Sequence, residues 1–147
     1  MTEILYDSGE ALARVRAKFT EDGYLTMTGV EIEELGRDSC LCRMTVAPMH
    51  LNFNRVAQGG AVYTLADSAF AVACNVGHIL GGEPFVTVSQ SASISYLKGP
   101  VEGDVLYAFA RRAGGGKRSS VYRIDVTAED GSLIATMTGN AVTVARK

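Results

Sequence analysis

Apolar residues along this chain follow two spacings, one helical and one alternating, and the places where the spacing changes divide it into elements. Residues 8 to 22 repeat Leu12, Val15 and Phe19 at helical intervals. Ser8 is placed to cap the start and Gly23 to stop the end, which predicts a modest amphipathic helix. From about Thr26 the pattern turns strand-like, with Val30 and Ile32 ahead of a turn at Gly36-Arg37-Asp38. The run Cys40 to Val46 follows before Pro48, so the pair predicts a hairpin. Residues 49 to 57 are polar and aperiodic. Gln58 to about Gly77 is then rich in Ala and other residues compatible with a helix, and predicts a long one at the hydrophobic centre of the sequence. After Gly81-Gly82 come four alternating runs, about 85 to 97, 104 to 113, 118 to 128 and 133 to 145. They are separated by Gly99-Pro100, Gly114-Gly115-Gly116 and Asp130-Gly131, all turn signals. In the third run Tyr122, Ile124, Val126 and Ala128 share one face and Arg123, Asp125 and Thr127 the other, the signature of a sheet covered on one side. The expected class is α+β, an antiparallel sheet wrapping around one buried helix.

Composition narrows the picture. A chain of 147 residues that is 47% hydrophobic can bury one sizeable core, which predicts a single domain over residues 1–147. Sixteen acidic against fourteen basic residues leave a formal charge of -2, too little field to favour nucleic acid or anionic lipid. Glu3, Asp7, Glu10 and Arg14 break any export signal near the start, and Asp67, Ser68 and Asn75 interrupt the longest apolar stretch. The expectation is a cytoplasmic protein with neither nucleic acid nor membrane as partner. Cys40, Cys42 and Cys74 show no Cys-x-x-Cys spacing, and His50 and His78 do not complete a zinc set, so no metal is expected. Cys40 and Cys42, two apart on a strand, read as small core hydrophobes.

The candidate chemistry lies between His50 and Phe70. Gly59 and Gly60 open the long helix, and Asp67 stands in its second or third turn. The helical neighbours of Asp67 are Tyr63, Thr64, Phe70 and Ala71, a mostly apolar surface. Such an aspartate either faces solvent or bonds nearby backbone, or it is partly desolvated with a raised pKa, the mark of a functional carboxylate. The two glycines are either simple turn residues or a helix start whose bare amides approach a ligand's carbonyl oxygen. In the second case the amides and the helix dipole would stabilise an oxyanion.

These residues resemble a known family. Gln58-Gly59-Gly60, Leu65-Ala66-Asp67 and the run Ser68 to Asn75 are similar to the helix of hotdog-fold thioesterases of the phenylacetic-acid-degradation group, which starts His-Gly-Gly and continues through Leu-x-Asp. Ser93-Ile94-Ser95-Tyr96-Leu97, Gly103-Asp104-Val105-Leu106 and Val121 to Val126 extend the likeness over essentially the whole chain. The resemblance implies a hotdog fold, five to six antiparallel strands around a long central helix, and hydrolysis of an aryl or medium-chain acyl-CoA to free acid and CoA. It implies a homodimer with the active site at the subunit interface, assembled further into a tetramer as a dimer of dimers, and no cofactor beyond the CoA of the substrate. Carried over residue by residue, Asp67 is the catalytic carboxylate, acting as base or nucleophile. Gly59 supplies the amide that polarises the thioester carbonyl, Asn52 supports that end of the site, and Ser89 helps to place the water. Gln58 and Gly60 belong to the substrate-binding side. Arg111, Arg112, Lys117 and Arg118 are placed to meet the CoA phosphates or to form a solvated basic turn.

One departure stands out: Gln58 replaces the family's histidine. Glutamine still donates and accepts hydrogen bonds, so activity survives if that residue only fixes the turn. The same departure motivates an alternative, a non-catalytic hotdog module that binds acyl-CoA or another small ligand. A related dehydratase ranks lower, because its chemistry calls for a histidine opposite the acid. Gly114-Gly115-Gly116-Lys117-Arg118 is no phosphate loop, since it lacks the Ser/Thr and joins two strands. No Gly-x-Ser-x-Gly is present, so a serine hydrolase finds no support. Phe53, Tyr63, Phe70 and Phe85 read equally as pocket lining or core.

Overall fold

A computed structural model describes residues 9–147. Ser8, expected to cap the first helix, lies outside them. Helix α1, Gly9–Phe19, buries Ala11 and Val15. It ends earlier than expected, and Gly23 starts a second helix in place of stopping the first. The reason is local: the Asp22 side chain accepts a hydrogen bond from the Leu25 amide at 3.0 Å and so caps helix α2, Gly23–Thr28. Gly29, at φ 79, closes its other end. Thr28, expected in a strand, instead donates its hydroxyl to the Tyr24 and Leu25 carbonyls. The first strand therefore begins later, as β1, Glu31–Gly36.

Strand β2, Ser39–Thr45, completes the expected hairpin. A short 3-10 turn, Pro48–His50, leads toward helix α3, Gly59–Gly81, which outlasts the expected end at Gly77 and is capped by Gly82 at φ 61. Strands β3 (Phe85–Tyr96), β4 (Val105–Gly115), β5 (Ser119–Ala128) and β6 (Leu133–Ala145) follow. They join into one six-stranded sheet in the order β1-β2-β4-β5-β6-β3, with every neighbouring pair antiparallel. The long helix lies across one face of this sheet, so the chain has the hotdog fold.

The alanine-rich pattern of α3 explains how closely it packs. Ala66, Ala69 and Ala73 let the helix settle among Cys42, Met44, Leu106, Ala108, Ile124 and Met137, all fully or nearly fully buried. Cys40 and Cys42 are core residues, as their spacing predicts. At the far end of α3, Asn75 acts like one residue of a strand. Its amide nitrogen donates to the Thr87 carbonyl and its oxygen accepts from the Thr87 amide, both at 2.9 Å. That pair of bonds seats the helix against β3, which is an edge strand with Val88, Ser89 and Tyr96 exposed.

Candidate active site

The segment before α3 is held by hydrogen bonds that its own side chains make. The Asn52 side-chain oxygen accepts from the Asn54 and Val56 amides at 2.9 and 3.4 Å, and Arg55 takes a left-handed conformation at φ 64. These bonds hold the turn that precedes α3. The buried His50 ties the turn to α2. Its Nδ1 accepts from the Ala47 amide, so Nε2 carries the proton and donates to the Thr28 carbonyl at 2.8 Å. His50 thus holds this turn together. His78 sits near the C-terminal end of α3 beside Glu83 and Thr87.

Gln58 is extended, at φ -62 and ψ 139, and its side chain makes no capping bond. The amides of Ala61 and Val62 turn back to the Gln58 carbonyl, whereas those of Gly59 and Gly60 have no acceptor among the described residues. Across from them, the Tyr96 hydroxyl donates to the Gly59 carbonyl at 3.0 Å, and a Cβ on Gly59 would stand 3.3 Å from the tyrosine ring. Sequence reasoning missed Tyr96, because only the folded sheet brings it to a residue 37 positions away.

Asp67 lies two turns further along α3, half-buried in a cleft of ≈ 390 Å³ lined by Phe19, Asp22, Tyr24, Leu25, Tyr63 and Ala71 among others. No hydrogen bond or ion pair reaches its carboxylate among the described residues. Thr64 and Ser68 beside it donate back to the Gly60 and Thr64 carbonyls at 2.8 and 2.7 Å. Loss of hydration, and then the like charge of Asp22, hold the Asp67 carboxyl above its ordinary 3.8. The wall formed by α2 was also missed, although Asp22-Gly23 ahead of Leu25 is a readable cap signal. Cys74 offers no rival nucleophile: burial above all pushes its thiol up to about 12.

The other expected site residues are spread out. Ser89 alternates with the buried Thr87 and so shares the helix-facing side of β3. Arg111, Lys117 and Arg118 are exposed. Arg112 turns inward, donating to the Gly116 carbonyl at 2.6 Å with Asp38 at 4.0 Å. The β4–β5 hairpin pairs at the Val142 end of β6, while Tyr96 and the glycine turn lie at the Ala135 end. One chain therefore does not bring the basic residues to Gly59. Of the four aromatic candidates, Tyr63 lines the Asp67 cleft, Phe70 is core, Phe85 lies tilted beside His78 and Phe53 is 93% exposed on the Asn52 turn.

Comparison with known proteins identifies the fold and the family. The model of the thioesterase superfamily matches residues 54–135, which contain both glycines and Asp67. Acyl-coenzyme A thioesterase PaaI of Escherichia coli is 28% identical over 134 residues, 91% of each chain. A putative esterase of Deinococcus radiodurans is 30% identical over 125 residues, 84% of this chain and 79% of that one. Among solved structures, the E. coli PaaI protein from the phenylacetic acid degradation operon superposes with a TM-score of 0.84 at 26% identity, over 95% of this chain and 97% of that one. A mutant of the phenylacetic acid degradation protein PaaI from Thermus thermophilus gives 0.74 at 28% identity, over 81% and 96%. With the family model spanning more than half of its length and the whole fold superposing on a PaaI protein, the chain belongs to the thioesterase superfamily, in the PaaI-like group.

Proposed function

We propose that the protein hydrolyses acyl-CoA thioesters at sites shared between two copies of the chain, each site taking Asp67 from one copy and the Gly59 amide from the other. The observation that carries this reading is the state of Asp67: a desolvated carboxylate without a bonded partner among the described residues, in a cleft with aromatic walls. The unpaired glycine amides stand at the start of the same helix, yet eight residues of α-helix span roughly 12 Å. That is too far for both to act on one carbonyl, so a second copy must supply the amides. The exposed edge strand β3 offers the means, since an open edge pairs readily with a like strand.

In this site Asp67 takes a proton from water as the water oxygen bonds to the acyl carbon. The carbonyl oxygen becomes an oxyanion against the Gly59 amide. Collapse breaks the carbon–sulfur bond and releases CoA, whose thiolate receives a proton, leaving the free acid. Ser89, on the helix-facing side of β3, is suited to holding the water, and Asn52 keeps the glycine turn in shape. Arg111, Lys117 and Arg118 are free for the CoA phosphates, while Arg112 is engaged within its own chain. The chemistry needs water alone and no metal or redox cofactor. Phe19, Tyr24 and Tyr63 around the cleft suit an aryl or medium-chain acyl group.

Two dimers pairing into a tetramer fit the same reading. Val88 and Val144, each 42% exposed on the sheet face away from α3, offer apolar surface for it. Among the described residues no helix is long and apolar enough to cross a membrane. The three free cysteines suit a reducing cytoplasm, where we place the protein. A thiol-trapping assay over a panel of acyl-CoAs tests the function directly. Steady thiol release that Asp67→Asn abolishes is the expected result, whereas saturable binding without release would make this a binding module instead.

A further inference from the structure

We infer that Tyr96 is a positioning residue for the reaction, its hydroxyl fixing the turn whose Gly59 amide meets the oxyanion and strengthening the adjoining Gly60 N–H as a second donor; this rests on the thioesterase reading above. A helix start made of two glycines has no side chain of its own to hold it, and Gln58 ahead of it makes no capping bond. The described contacts that hold this turn come from outside it. Gln58 and Ala57 are pinned through their amides to the His50 and Pro100 carbonyls, both at 2.7 Å. Tyr96 then reaches over the first helical residue, with its hydroxyl 3.0 Å from the Gly59 carbonyl.

That bond acts on the neighbouring amide. The Gly59 carbonyl and the Gly60 N–H belong to one peptide group, so a donor on the oxygen draws electron density toward it and makes the N–H a stronger donor in turn. Tyr96 is itself well anchored at the end of β3, opposite Ala135, and the next residue donates its amide to the Ile134 carbonyl at 2.8 Å. Its ring occupies the space beside the Gly59 Cα, so the packing and the hydrogen bond fix the same peptide. Loss of hydration and the neighbouring Tyr63 raise the Tyr96 phenol above its ordinary 10.0, which keeps it a neutral donor. The arrangement also explains how the turn keeps its shape with glutamine at position 58.

Tyr96→Phe tests this, because it keeps the ring and removes only the hydroxyl. The expected result is a kcat lowered about ten-fold, less than the 10²–10³ lost with a direct oxyanion donor, with KM changed by less than about two-fold. The Gly60 amide proton should move upfield in the NMR spectrum while the unfolding midpoint stays in place. Tyr96→Leu, which also removes the ring, should lower both kcat and the midpoint. An active wild type whose Tyr96→Phe form keeps full kcat, or an unmoved Gly60 resonance, would overturn the assignment to Tyr96 alone. A wild type inert toward every thioester would sink the thioesterase reading and this inference with it.

Discussion

Asp22 and Asp67 face the same cleft from different elements, the first as the cap of α2 and the second from the middle of α3, and the charge on Asp22 makes Asp67 harder to ionise. The like charge adds to the larger effect of burial. A base must be ionised to take a proton, so the acid limb of kcat/KM should inflect above the ordinary 3.8 of a free aspartate.

Asp22→Asn separates the two contributions. Asparagine caps a helix as well as aspartate does, so α2 should stay in place while the charge disappears. The acid limb should then move to lower pH but remain above 3.8, because burial still disfavours the carboxylate. A full pH–rate profile of the two proteins decides it, and a limb that stays put or moves up would remove Asp22 from the account.

Asp67→Asn should lower turnover by roughly 10²–10⁴-fold and yet make the protein more stable at neutral pH. The raised pKa means that the folded chain holds this proton more tightly than the unfolded chain. Stability therefore falls as pH rises from 3.8 through the folded value, and the penalty persists in full above it. The uncharged asparagine escapes the penalty. Melting curves of both proteins should differ most at neutral pH and converge as the pH falls toward 3.8, while an asparagine form that melts lower at pH 7 would show that the carboxylate is stabilising after all.

The parts of this structure that sequence made legible are those set by local periodicity. The length and apolarity of α3 place Asp67 on a buried helix, and the alternation from Tyr122 to Val126 gives β5 its inward face. The cleft depends on residues that no period reveals. Helix α2 has six residues, too few to show a helical spacing, and its start is marked only by the cap in which Asp22 accepts from the Leu25 amide. Tyr96 meets Gly59 only after β3 has paired with β6, and Arg112 reads as one of four surface cations until β4 turns it inward toward Asp38 and the Gly116 carbonyl. Contacts between distant segments carried the information that composition and spacing lacked.

Packing of the helix on the sheet makes its own prediction at Gly139. A Cβ there would stand 2.6 Å from the ring of Phe70, which is 1% exposed and also packs on Tyr122 at a centroid distance of 5.4 Å. The ring has nowhere to retreat. Gly139→Ala should cost about 1–3 kcal/mol, measured by denaturant unfolding, as overpacking of a full core does. A neutral result would mean that α3 shifts easily on the sheet and carries Asp67 with it.

The shared site can be tested by repairing one defect with another. Proline is tolerated at the first position of a helix, and the extended Gln58 before it already has the conformation that a residue preceding proline adopts. Gly59→Pro should therefore remove the amide donor and leave α3 intact, with the exposed Tyr96 ring giving way slightly to the added atoms. Alone, Gly59→Pro and Asp67→Asn should both be nearly inactive. Mixed and reassembled in equal amounts, half of the dimers pair one chain of each kind, and in those one of the two sites holds a sound Gly59 and a sound Asp67. Activity should return to about a quarter of the wild-type value if each site draws on two chains. If both residues acted within one chain, every site in the mixture would carry a defect and no activity would return.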